Sequence, residues 1–145
     1  MKKQLLLLVA FLSLFSCNES NFSNNNPYLP NYSFSIDINT NFPLYSNLKF
    51  PSNAIFTSEV GVRGIIIFNT GTGYTAFDAA CPNQTLSFCS TMTIKGINAI
   101  CSCDSAEYSL FSGQCIGTKC EGKQYAMKQY RVEVSGNKLR VYKKI

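Results

Sequence analysis

The chain has 145 residues, seven of them cysteine, and contains neither histidine nor tryptophan. Thirteen basic against eight acidic side chains give a net charge of +5 at neutral pH. The missing histidine excludes a serine–histidine triad, a cysteine–histidine nucleophile pair and the usual histidine-bearing zinc sites.

Met1 to Ser16 has the three zones of an export signal. Lys2 and Lys3 form a positive start, Leu5 to Leu14 an apolar stretch interrupted only by Ser13, and small Ser16 stands directly before Cys17. About ten apolar residues are too few to cross roughly 30 Å of hydrocarbon, so the segment is not expected to remain as a spanning helix. Leu14-Phe15-Ser16-Cys17 resembles the lipobox of bacterial lipoproteins. That resemblance implies cleavage before Cys17, a diacylglyceryl group on its thiol and an acyl chain such as palmitate on the new amino group. Several chains, at roughly 0.8 kcal/mol per buried CH₂, make such an anchor effectively permanent. The implied location is the cell envelope, at the outer membrane, with the lipid anchor as the membrane contact.

Residues 17–31 follow as an expected flexible tether, since Asn18 to Asn31 is almost all Asn, Ser and Pro. Residues 32–145 are expected to form one domain. Ser33 to Ile38 alternates, with Phe34, Ile36 and Ile38 on one face, as in a half-buried strand. Arg63 to Phe68 is a continuous apolar run, expected to be a strand covered on both faces. Asn69 to Gly73 is turn chemistry, and Tyr74 to Phe77 supplies the returning strand. Gly71-Thr72-Gly73 does not begin a dinucleotide site, because a strand follows it and not a helix N-terminus.

Further short strands are expected at Ile97 to Ile100 and Glu107 to Phe111. Gln129 to Val134 and Leu139 to Tyr142 form a closing hairpin around Ser135-Gly136-Asn137. No segment after Cys17 has helical periodicity. The fold class is therefore all-β, a sandwich or small barrel. Seven basic residues lie between Lys123 and Lys144 and read as a solvated face, with no nucleic-acid partner. Asp78, Asp104 and Glu107 read as turn or surface residues.

Beyond Cys17 there are six cysteines: Cys81, Cys89, Cys101, Cys103, Cys115 and Cys120. An even number in an oxidising compartment suggests disulfides, and six thiols allow 15 pairings. A metal centre is the alternative, and composition does not choose between them.

From Gly61 onward the chain resembles the Rieske [2Fe–2S] domain, whose two loops carry C-x-H and C-x-x-H. Cys81-Pro82-Asn83 stands at the first box and Cys101-Ser102-Cys103-Asp104 at the second, with 17 residues between Asn83 and Cys101. Phe77 to Ala80 leads into the first box as the family's strand does. Ser105-Ala106-Glu107-Tyr108 stands at the family's Gly-Ser-x-Phe, Gly113 at its loop-closing glycine, and Met127 to Val141 follows its closing hairpin. The resemblance implies an antiparallel Rieske-like sandwich or barrel with a small loop subdomain at the cluster position.

Both cysteine ligand positions, Cys81 and Cys101, are kept, while Asn83 and Asp104 stand where the family has histidine. A Rieske centre needs two cysteines on one iron and two histidines on the other. The resemblance leaves three readings of these positions. In the first, no cofactor is bound and Cys81 pairs with Cys101, whose sulfurs share one iron in the parent fold. Respiratory members bond a cysteine at the position of Cys103 to one in the first loop. Leu86 occupies that partner's usual place, but Cys89, three residues on, could serve, and Cys115 would pair with Cys120. In the second, a [2Fe–2S] cluster persists on Cys81, Cys101, Asp104 and one of Cys89 or Cys103, as an electron carrier. Against it, Cys101 and Cys103 project to opposite faces if their segment is extended. In the third, Cys101-Ser102-Cys103 is a redox-active dithiol. The leading expectation is a non-enzymatic, structural or binding module at the envelope with an unidentified protein partner; electron transfer through a cluster with altered ligands is the alternative.

Overall fold

The computed structural model describes residues 25–145, so the expected signal peptide and Cys17 lie outside the described residues. Among the described residues there are ten strands and one short 3-10 helix. The strands are β1 (Phe34–Asn39), β2 (Ala54–Thr57), β3 (Ile65–Asn69), β4 (Tyr74–Asp78), β5 (Met92–Lys95), β6 (Asn98–Cys101), β7 (Glu107–Ser109), β8 (Cys115–Ile116), β9 (Gln129–Ser135) and β10 (Lys138–Lys143). The helix (Pro43–Lys49) lies between β1 and β2 and buries Tyr45 and Leu48. None of the described helices is long and apolar enough to cross a membrane.

All pairings are antiparallel. Six strands form one sheet in the order β1-β10-β9-β4-β3-β2, and β5-β6-β7-β8 form a second, smaller sheet. The small sheet is inserted between β4 and β9, the place in the chain where the loop subdomain is expected.

The apolar run in β3 explains how the two cores are separated. Successive strand side chains point to opposite faces. Ile66 and Phe68 accordingly join Phe77, Met92, Ala99, Tyr108, Leu110 and Met127 in a core that includes the small sheet. Ile65 and Ile67 join Ile38, Leu48, Ala76, Leu139 and Val141 in the other core. Every residue of β3 is buried, as a strand covered on both faces requires. Burial of each large apolar side chain contributes roughly 1.5–3 kcal/mol. The closing hairpin turns through Gly136 and Asn137, with Gly136 at φ 59°, which a two-residue loop with glycine first requires.

The described end of the expected tether does not hang free. Leu29 is buried, and Asn26 donates its side-chain amide to the Pro82 carbonyl at 2.7 Å. Lys128 donates its ammonium to the carbonyls of Leu29 and Pro30. The polar composition of 18–31 concealed one apolar anchor, Leu29, and a cation that needs those carbonyls. Lys128 is therefore also an exception to the solvated basic face: it is 2% exposed, and burial holds its ammonium below the usual lysine range.

Candidate functional site

Three loops of the small subdomain meet where the sequence places the two ligand boxes. The first begins at Cys81, just beyond Ala79 and Ala80, which follow the end of β4. Its base is closed by the Ala80–Thr91 bridge, with Cys81 N–H donating to the Ser90 carbonyl at 2.8 Å. The second leaves β6 at Cys101 and turns back at once, with Ser105 N–H donating to the Cys101 carbonyl and Cys101 N–H to the Ala106 carbonyl, each at 2.9 Å. Ser105 sits at φ 61°, the left-handed region, where the chain reverses. The third runs from Cys115 through Tyr125, and its Lys123 N–H donates to the Cys120 carbonyl.

The six cysteines form three disulfides: Cys81–Cys101, Cys89–Cys103 and Cys115–Cys120. The first two tie the first loop to the second, with Cα separations of 5.5 and 5.0 Å, inside the range a bridge spans without backbone movement. Cys81 and Cys101 are each 1% exposed and belong to the core, whereas Cys89 and Cys103 are partly exposed. The sulfurs of Cys81, Cys101 and Cys103 all lie within 4.8 Å of one another. The expectation that Cys101 and Cys103 face apart fails here, because β6 ends at Cys101 and the turn brings both sulfurs to one side.

The two positions that hold histidine in the family are engaged otherwise. Asn83 uses its side chain fully. Its oxygen accepts the N–H groups of Gln124 and Tyr125, each at 2.8 Å. Its amide donates to the Tyr125 carbonyl at 2.7 Å and to the Tyr108 hydroxyl at 2.9 Å. These four bonds fill both acceptor sites and both donors. Asp104 accepts the Ala106 N–H at 3.0 Å and pairs with the Lys123 ammonium. Partial burial pushes the Asp104 carboxyl up, but the Lys123 bond and the Ala106 N–H outweigh it and hold the group below the usual carboxylate range. The Asp104 bond likewise lifts Lys123 above the usual lysine range. Burial raises the Tyr108 hydroxyl, so it stays protonated at neutral pH.

With a bonded cysteine pair, a saturated amide and a salt-bridged carboxylate, this donor set does not fit a two-cysteine, two-histidine [2Fe–2S] centre. The three carboxylates singled out in the sequence have separate partners. Glu107 pairs with Lys95 at 3.6 Å on the small sheet. Asp78 is no surface residue. It is wholly buried and accepts the N–H groups of Val62, Arg63 and Ala80 and, at 2.7 Å, the Tyr130 hydroxyl. Burial and the Asp78 charge push the Tyr130 hydroxyl far above its ordinary value. Lys123, Tyr108, Ser87 and Arg63 also belong to the site's surroundings. Tyr108 stands in the Ser105 to Tyr108 box, whereas Lys123, Ser87 and Arg63 carry no motif and only the folded loops bring them there.

No family model matches the sequence, and no curated protein matches it. Solved structures do. The Rieske monooxygenase CntA in complex with L-carnitine superimposes with a TM-score of 0.51 at 16% identity, over 75% of this chain and 31% of that one. The fold is Rieske-like. The Rieske-like domain also aligns with a chain from the oxygenase–ferredoxin complex of carbazole 1,9a-dioxygenase, at TM-score 0.49 and 16% identity, covering 75% of this chain and 91% of the other. For the E. coli protein NirD the TM-score is 0.46 at 16% identity, with coverages of 77% and 98%. Within this Rieske-like fold, the cysteines at the ligand boxes are joined to each other.

Proposed function

We propose that the protein is a lipid-anchored envelope module whose Rieske-like domain acts as a structural or binding element and not as an enzyme. The Cys81–Cys101 disulfide carries this reading, because it occupies both sulfur ligands that a Rieske cluster needs. The filled hydrogen-bonding capacity of Asn83 supports it, since that side chain holds the third loop in place. The anchor is Cys17, in the lipobox-like sequence after the apolar leader. Asn26 and Leu29 are docked on the domain a short stretch of sequence after Cys17, so a binding partner meets the domain close to the membrane surface.

Expression of the full chain in a bacterial host tests both parts. The expected product partitions with membranes, loses that partitioning in C17S, and when purified anaerobically is colourless with no free thiol. A soluble wild-type product would remove the anchor from the account. The second reading, electron transfer through a [2Fe–2S] cluster on altered ligands, is favoured by the convergence of the Cys81, Cys101 and Cys103 sulfurs. A brown protein with stoichiometric iron and sulfide would establish it in place of the first.

A further inference from the structure

The two bridges between the first and second loops differ in access and share a sulfur cluster. Cys81–Cys101 is enclosed in the core, while Cys89–Cys103 is partly exposed, beside Phe88, which is 99% exposed. Cys103 is the member of the outer bridge whose sulfur lies within 4.8 Å of both inner sulfurs. The Ser87 hydroxyl stands 3.3 Å from the Cys89 sulfur and 3.7 Å from that of Cys103, within reach of whichever sulfur takes charge. Arg63 fixes this serine by donating to its carbonyl at 2.8 Å.

We infer that the paired bridges form a thiol–disulfide exchange unit, in which the outer bridge accepts electrons from a dithiol and Cys103 passes them to the buried bridge. The inference rests on the disulfide reading above and adds an activity to it. A donor thiolate attacks the sulfur of partly exposed Cys89. The donor–Cys89 bond forms, the Cys89–Cys103 bond breaks, and its electron pair leaves on Cys103 as thiolate. That thiolate attacks Cys101 or Cys81. A new bond to Cys103 forms, the Cys81–Cys101 bond breaks, and the displaced sulfur takes a proton from solvent. The donor's second thiol then resolves the mixed disulfide and frees Cys89. In balance, one dithiol becomes a disulfide and two protein disulfides become one disulfide and two thiols. Exchange of this kind proceeds by attack of a thiolate on a neighbouring disulfide, at a rate set by access and proximity.

The full chain carrying C89S tests the transfer without any donor, because it leaves Cys103 unpaired next to the buried bridge. Under native conditions its free thiol is alkylated, and the labelled position is mapped. The expected result is a loss of label at Cys103 with a matching gain at Cys81 or Cys101. Label confined to Cys103 would overturn the inference. If C89S does not fold, the wild type answers with a limiting amount of dithiothreitol and an acid quench. Crossed Cys101–Cys103 or Cys81–Cys103 pairs support the relay, whereas thiols at Cys89 and Cys103 beside an intact Cys81–Cys101 bond overturn it while leaving the disulfide reading in place. An unreduced wild type that lacks the Cys81–Cys101 bond removes both.

Discussion

Asn83 donates its side-chain amide to the hydroxyl of Tyr108 at 2.9 Å, so a position that holds iron in the resembled family here ties the first loop to β7. The same side chain accepts two backbone N–H groups of the third loop. Replacing it with alanine strands those N–H groups and the Tyr125 carbonyl. N83A is expected to lower stability by about 1–3 kcal/mol, since hydrogen bonds at this partly exposed site contribute roughly 0.5–1.5 kcal/mol each. Urea unfolding of N83A against wild type measures this, and a change below about 0.5 kcal/mol would count against the bracing role.

The Asp104–Lys123 pair gives a pH dependence with a defined sign. Asp104 is depressed in the folded state, so its contribution is present above about pH 4 and is lost as pH falls through the lower folded value. Lys123 is raised, so its contribution is present below about pH 10.5 and is lost as pH rises through the higher folded value. D104N is expected to cost about 1 kcal/mol at neutral pH, with solvent screening allowed for. Thermal unfolding from pH 3 to pH 8 should show a wild-type advantage that closes at the acid end.

Buried Asp78 and Tyr130 join β4 to β9, where Ala76 is paired with Tyr130 and Phe77 with Gln129. D78A removes four hydrogen bonds to a buried carboxylate and is expected to cost at least about 3 kcal/mol. Y130F removes one of them and should cost about 1.5–3 kcal/mol, as a bond to a charged group does. Denaturant midpoints of the two variants should fall in that order.

The three bridges should not be equal. Cys115–Cys120 closes a separation of 5 residues and Cys81–Cys101 one of 20. Chain entropy alone assigns roughly 2 kcal/mol to the short loop and roughly 3 kcal/mol to the long one. The inner pair adds a packing term, since both of its sulfurs lie in the core. Calorimetry of the double-serine variants should show the larger drop in Tm for C81S/C101S.

Much of the large sheet is legible in the residues. The alternation of Phe34, Ile36 and Ile38, the Ile65 to Phe68 run and the Ser135-Gly136-Asn137 turn each state their period or punctuation. β2, β5 and β8 are 4, 4 and 2 residues long, too short to show a period, even though Pro51-Ser52-Asn53 precedes β2 and Gly96 turns the chain between β5 and β6. The 3-10 helix at Pro43–Lys49 escapes for the same reason, since its single buried pair, Tyr45 and Leu48, sets no helical repeat. Within the site, the ligand-box cysteines stand out by spacing. The turn after Cys101 does not, because it depends on Ser105 at φ 61°, a conformation the side chain does not announce. Asp78 and Lys128 read as surface residues, because their burial is set by partners distant in sequence: Tyr130, Leu29 and Pro30.

The central claim, that the two ligand-box cysteines hold each other in place of iron, is tested most directly by peptide mapping of the unreduced protein. Trypsin alone leaves Cys81 with Cys89 and Cys101 with Cys103, because no lysine or arginine separates them. Chymotryptic cleavage at Phe88 divides the first pair, and fragmentation at Ser102 divides the second. The account predicts Cys81 linked to Cys101 and Cys89 linked to Cys103. Free thiols at Cys81 and Cys101 in protein that carries iron and sulfide would contradict it.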